Sequence, residues 1–116
     1  MKIYLAGFKC IEKKYTKSTK DIYLLSSFWE HKTGTYGEYV TQDKHILDSG
    51  AFTAINDKTG KYKNFDWDKY CDKYIAFIKK TNQKLFFELD IDCVVGLEKV
   101  EYYRKKIEDA VGIAPI

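Results

Sequence analysis

The chain has 116 residues, which is enough for one domain and too few for two of ordinary size. Hydrophobic residues make up 45% of it and aromatic residues 16%, which excludes an intrinsically disordered segment because so much apolar surface can form a core. The net charge of +3 permits contact with a polyanion, but dedicated nucleic-acid modules are more basic and concentrate their charge.

Short apolar runs separated by polar segments predict a series of β-strands. The predicted strands are Lys2–Ala6, Ile22–Ser27, His45–Asp48, Leu85–Leu89 and the start of a fifth over Gly112–Ile116. The lysine-rich stretch Lys9–Asp21 predicts a solvated loop or a short helix, and Phe28–Lys44 predicts an irregular segment. A turn-rich cluster, Asn56–Gly60, predicts a loop after the third strand.

Two amphipathic helices are predicted in the second half of the chain. The first begins at Asp66 as its N-cap and carries an apolar stripe from Trp67 to Ile78. The second carries its stripe from Val100 to Ala110 and ends before Gly112. Strands that alternate with helices predict an α/β fold with a parallel sheet and right-handed crossovers. We therefore expect one domain over residues 1–116, built as the N-terminal half of a TIM (β/α)₈ barrel.

The third strand ends in Asp48-Ser49-Gly50. Ligands of α/β sheets and barrels bind at the carboxyl ends of the strands, where Asp48 is suited to act as a general base or to accept a ligand N–H. Ser49 adds a hydroxyl group, and Gly50 allows a tight turn and a close approach to a planar ligand. The alternative is that Asp48 or Ser49 only caps the turn. Phe52 is placed either to stack on a flat heterocycle or to cover the barrel.

The fourth strand also ends in carboxylates, Glu88, Asp90 and Asp92. Alternate residues of a continuing strand share one face, so these side chains are suited to bind a divalent cation or the N–H donors of a base. Glu88 would lie deeper, as an interior acid or as part of the site. Asp92 is alternatively the N-cap of the next helix. A metal-dependent phosphoesterase would use Asp48, Asp90 and Asp92.

The cysteines Cys10, Cys71 and Cys93 are widely spaced, which predicts neither a disulfide scaffold nor a zinc site within this chain. No apolar run approaches the ~20 residues needed to cross a bilayer, and the N-terminus lacks a signal-peptide layout. We therefore expect a cytoplasmic protein without membrane contact. The composition is rich in lysine, with Arg104 as its only arginine, and it fits an AT-rich genome such as that of a phage. A phage protein of this kind would act in the host cytoplasm.

The segment from Leu47 to Phe52 resembles the Asp-Ser-Gly-Gly-aromatic segment of the tRNA-guanine transglycosylases. It is more similar to the Leu-Asp-Ser-Gly-Ala-Phe segment of their phage and bacterial relatives that place 7-deazaguanines into DNA. Glu88–Asp92 and Ile113–Ile116 are similar to the next two barrel strands of those relatives. The resemblance extends over residues 45–116 and, more faintly, over Met1–Gly7 and the second strand.

This resemblance implies a TIM barrel that exchanges a guanine-type base on DNA or tRNA through a covalent ribosyl-enzyme intermediate. Asp48 would match the acid beside the bound base, and Ser49 would contact the base. Asp90 would match the carboxylate that reads the Watson–Crick edge of guanine, with Asp92 as the competing register. The family's nucleophilic aspartate and any zinc site would lie beyond Ile116, so we expect no cofactor in this chain and no turnover by the chain alone.

Two other interpretations remain open. The opening Met1–Gly7 is similar to that of nucleoside 2-deoxyribosyltransferases, small flavodoxin-like enzymes that also exchange bases. Alternatively, the half-barrel is not catalytic and binds a partner or forms a homodimer, which would close its open sheet.

Overall fold

The computed structural model describes residues 4–6, 23–29, 45–56 and 65–116. These residues form an α/β fold with strands β1 (Tyr4–Ala6), β2 (Tyr23–Ser27), β3 (His45–Asp48) and β4 (Leu85–Phe86). The helices are α1 (Ala51–Ile55), α2 (Trp67–Thr81), α3 (Asp92–Val95) and α4 (Leu97–Val111). All paired strands are parallel, and their order in the sheet is the order of the chain, β1-β2-β3-β4.

The two faces of the sheet differ in burial. Ser26, Leu47 and Phe86 form one row across β2, β3 and β4, and each is at most 2% exposed. Leu25, Ile46 and Leu85 form the preceding row, whose side chains point to the other face because successive strand residues alternate. This second row is partly exposed, and Leu85 is 38% exposed. Within the described part of the sheet, the buried core therefore lies on the face of Ser26, Leu47 and Phe86.

Helices α2 and α4 cover the buried face together. Their buried residues belong to the same core cluster as Leu47 and Phe86. Between the helices, the Tyr103 hydroxyl group donates to Asp68 at 3.0 Å, and the Lys106 ammonium group lies 2.8 Å from Asp72. Two successive crossover helices that pack side by side form a single layer on the sheet.

Both ends of α2 have favourable capping chemistry, and the N-terminal cap is the predicted one. Asp66 is the N-cap, and its carboxylate accepts a hydrogen bond from the Lys69 backbone N–H at 3.0 Å. Lys79 and Lys80 lie in the last turn, where positive charge favours the helix dipole. Asn82 ends the helix in the left-handed conformation with φ of 54°.

Several predicted boundaries change in the structure. The chain forms the short helix α1 directly after Gly50, where the sequence predicted a loop. The fourth strand is Leu85–Phe86 instead of Leu85–Leu89, because its paired register with β3 ends at Phe86. The N-cap of α3 is Ile91, so Asp92 is the first helical residue and not the cap. The last long helix begins at Leu97, one turn before its apolar stripe.

Ile116 is the edge neighbour of β4. Its backbone N–H donates to the Phe86 carbonyl at 2.8 Å, and its carbonyl accepts from the Glu88 N–H at 3.5 Å. These two bonds bracket Phe87, the residue directly after β4, which is the pattern of a parallel ladder. The end of the described chain therefore pairs where the sequence predicted the start of a fifth strand.

Some predictions concern residues outside the described ranges. These are the lysine-rich stretch Lys9–Asp21, most of the irregular segment Phe28–Lys44, and the turn-rich cluster Asn56–Gly60 beyond its first residue. The described helices include none whose length and apolar character would suit a membrane crossing.

Candidate functional site

The candidate site lies at the edge of the sheet where the parallel strands end. Asp48 is the last residue of β3 and lies opposite Ser27, the last residue of β2. On the other side, the Phe87 N–H donates to the Leu47 carbonyl at 2.9 Å, which brings the segment after β4 beside Asp48. The polar residues that follow the two strands are thus at one edge, as predicted.

A cavity of about 410 Å³ opens at this edge, between the ends of β3 and β4. The described residues that line it are Asp48, Phe87, Glu88, Asp90 and Ile116. The volume lies in the range of small-molecule sites in proteins. We call it the carboxylate cavity because three of these five described residues are acidic.

The Asp-Ser-Gly segment forms a hydrogen-bonded turn. Asp48 accepts from the Gly50 N–H at 2.9 Å through Oδ2, and Ser49 accepts from the Ala51 N–H at 3.3 Å through Oγ. Both side chains therefore cap the turn, which was the simpler of the two interpretations. Asp48 also lines the carboxylate cavity, whereas Ser49 is buried at 2% exposure and does not.

The absence of a side chain at Gly50 allows a close approach to Ser27 and Trp29 of the same chain. Its φ is 73°, and a Cβ atom built on it would lie 2.7 Å from Ser27 Oγ, Trp29 Cβ and the Trp29 backbone nitrogen. The tight packing of β2 against the turn thus accounts for this glycine. Phe52 is 77% exposed on α1 and is not part of the cavity lining.

The surroundings of Asp90 raise the pKa of its carboxyl group. Partial loss of hydration raises the pKa of Asp90, and the nearby carboxylates of Asp92, Glu88 and Asp48 raise it further, Asp92 also through a side-chain hydrogen bond. Asp92 thus contacts Asp90 although it starts α3 and does not line the cavity. A carboxyl group of raised pKa surrounded by acids is suited to bind N–H donors.

Glu88 is both a cavity residue and half of an ion pair. Its Oε2 atom lies 2.8 Å from Arg104 Nη1, which reaches it from α4. The two side chains are 34% and 39% exposed. The sequence left open whether Glu88 is an interior acid or a site residue, and in the structure it lines the cavity with a cation beside it.

Two tyrosines of α2 donate hydrogen bonds to backbone carbonyls directly after β3 and β4. Tyr70 donates its hydroxyl hydrogen to the Ser49 carbonyl at 2.6 Å, and Tyr74 donates to the Phe87 carbonyl at 2.8 Å. Burial raises the pKa of both hydroxyl groups, and Asp48 adds to the shift, so both stay protonated donors. The sequence predicts only the apolar stripe that contains these tyrosines, because helical spacing does not identify hydrogen-bond acceptors on other segments.

The described residues contain no group of three or more His, Cys, Asp or Glu side chains arranged to hold a metal ion. The metal-dependent phosphoesterase interpretation therefore gains no support from this part of the chain. The cavity offers carboxylate oxygens, an aromatic residue at Phe87 and an apolar edge at Ile116. This combination suits a small, flat ligand with N–H donors.

No protein-family model matches the chain, and neither a curated protein nor a solved structure shows a significant match to it.

Proposed function

We propose that the carboxylate cavity binds a guanine-type base, as the base-binding half-site of a transglycosylase-like enzyme that acts on DNA or tRNA. The observation that carries this proposal is that Asp48 and Asp90 line the same cavity. The resemblance to the transglycosylases assigns these same two acids to the base. Guanine presents a ring N–H and an amino group side by side, and one carboxylate can accept both hydrogen bonds.

The sheet supports a barrel as the setting of this site. The strands follow one another in chain order, and α2 and α4 pack side by side on one face. A flavodoxin-like sheet, as in the 2-deoxyribosyltransferases, has a reversal in its strand order. Parallel sheets are normally covered on both faces, and the partly exposed row of Leu25, Ile46 and Leu85 fits the inner face of a half-barrel.

Direct binding tests the proposal. Guanine and 7-deazaguanine are titrated into the purified chain by calorimetry, with adenine as the comparison base. We expect Asp48→Asn and Asp90→Asn each to weaken guanine binding by about tenfold or more, because an amide replaces one acceptor by a donor and leaves a base N–H unpaired.

The control is Asp109→Asn, an exposed residue in the last turn of α4. It makes the same chemical change away from the cavity, so its affinity should equal that of the wild type. Asp92→Asn tests the competing register, and a larger loss there than at Asp90 would exchange their roles. The proposal fails if the wild type binds neither base, or if a double variant of Asp48 and Asp90 binds guanine normally.

A further inference from the structure

An ion pair with Arg104 distinguishes Glu88 from the other two carboxylates that line the cavity. Asp48, Glu88 and Asp90 all line the cavity. Among the described residues, an ion pair forms at Glu88 alone of these three. Asp48 uses one oxygen for the Gly50 N–H, and Asp90 contacts Asp92. The charge of Glu88 is thus balanced inside the protein, and the other two acids face the cavity.

Arg104 is carried by a helix whose position is fixed. Val100, Tyr103 and Ile107, which flank it on α4, are all buried in the core. Tyr103 and Lys106 also tie α4 to α2 through Asp68 and Asp72. The guanidinium group therefore reaches Glu88 from a rigid support.

We propose that Arg104 is a positioning residue that holds the Glu88 carboxylate against the cavity wall and leaves Asp48 and Asp90 to receive the ligand. This inference rests on the proposed function for the identity of the ligand, a neutral guanine-type base. Without the guanidinium group, an uncompensated Glu88 adds a negative charge beside Asp90 and is free to turn into the cavity. It then competes for the base N–H groups and raises the cost of ionising Asp90.

The test compares Arg104→Gln, Glu88→Gln and the double variant with Lys105→Gln. Lys105 is the exposed neighbour of Arg104 on α4, so its variant removes the same charge outside the cavity. Guanine affinity is measured by calorimetry. The pKa of Asp90 is measured by carbon NMR of the carboxyl groups, with Asp48, Glu88 and Asp92 followed in the same titration because they face Asp90.

We expect Arg104→Gln to weaken guanine binding by about fivefold, the scale of one partly exposed ion pair, and to raise the pKa of Asp90. Adding Glu88→Gln should restore both values, because it removes the charge that Arg104 compensates. Lys105→Gln should leave both unchanged. A merely structural role for Arg104 predicts no rescue by Glu88→Gln.

The outcomes separate this inference from the proposed function. If the wild type binds no guanine, the proposed function fails, and the pKa of Asp90 alone decides the role of Arg104. The inference is overturned if Arg104→Gln leaves the pKa of Asp90 at its wild-type value, or if the double variant shows no recovery.

Discussion

Gly50 lies where the turn after β3 packs against the end of β2. Its positive φ and the 2.7 Å distances from a built Cβ to Ser27 and Trp29 are independent obstacles to a side chain. A sequence motif can therefore contain a glycine for internal packing, even when the residues around it suggest a ligand.

Gly50→Ala should lower the free energy of unfolding by more than about 2 kcal/mol, since left-handed strain alone costs about 1–2 kcal/mol and the overlap adds to it. Gly112→Ala is the matched control, because Gly112 has φ of 85° with nothing within 4 Å of a built Cβ. It should cost only the strain. Equal losses in urea denaturation would show that the contact with β2 contributes nothing.

His45 is fully buried in a polar network that joins β2, β3 and the segment before β4. Its Nδ1 hydrogen bonds to Gln83 Oε1 at 2.9 Å, so Nε2 is the acceptor for the Ser26 hydroxyl group. Gln83 in turn donates to the carbonyls of His45 and Leu85 at 2.6 and 3.0 Å. This network gives His45 a structural role.

Burial lowers the pKa of His45 below its usual 6.5, outweighing the hydrogen bond to Gln83, so the folded state holds the imidazole neutral. The unfolded chain binds a proton first as the pH falls. The stabilisation is therefore complete above about pH 6.5 and is lost as the pH falls from there towards the folded pKa. Proton NMR of the His31→Gln variant leaves only His45 to titrate. A midpoint at or above 6.5 would contradict this prediction.

Helix α2 links the core to the site. One face carries Tyr70, Tyr74 and Ile78 into the core, and the two tyrosine hydroxyl groups reach the carbonyls of the strand ends. Apolar periodicity was sufficient to predict the helix and its buried face. It was insufficient to predict the hydrogen bonds, because their acceptors lie 21 and 13 residues away in the chain.

Asp66→Ala should lower the free energy of unfolding by about 1 kcal/mol, because the Lys69 N–H loses its acceptor at the start of α2. Asp66→Asn keeps an acceptor oxygen and should cost less. Chemical denaturation of the three proteins measures both effects. A larger loss in the asparagine variant than in the alanine variant would exclude capping as the role of Asp66.

At the scale of the whole molecule, the described residues of the sheet bury one face more than the other. Leu47 and Leu85 are neighbouring-strand leucines on opposite faces, 0% and 38% exposed. A half-barrel and a self-associating sheet would both show this asymmetry. The loss of stability on truncating each leucine tests whether the face of Leu85 is covered by another molecule in solution.

Leu47→Ala should cost about 2–5 kcal/mol, because it leaves a cavity in the core. Leu85→Ala should cost about 1 kcal/mol or less if its face is open. Urea denaturation at low protein concentration, with size-exclusion chromatography alongside, makes the comparison. Equal costs together with a dimer in solution would show that a second copy covers the face.

The sequence by itself determined the α/β class, the third strand, the cap and stripe of α2, and the placing of acids at strand ends. These features are local, since they depend on periodicity, capping residues and the rule that charges avoid buried strands. Only the tertiary structure decided that Glu88 pairs with Arg104, that Gly50 packs on Trp29, and that Phe52 does not line the cavity. Each of these depends on contacts between segments distant in the chain or on where a side chain points, and no local pattern encodes them.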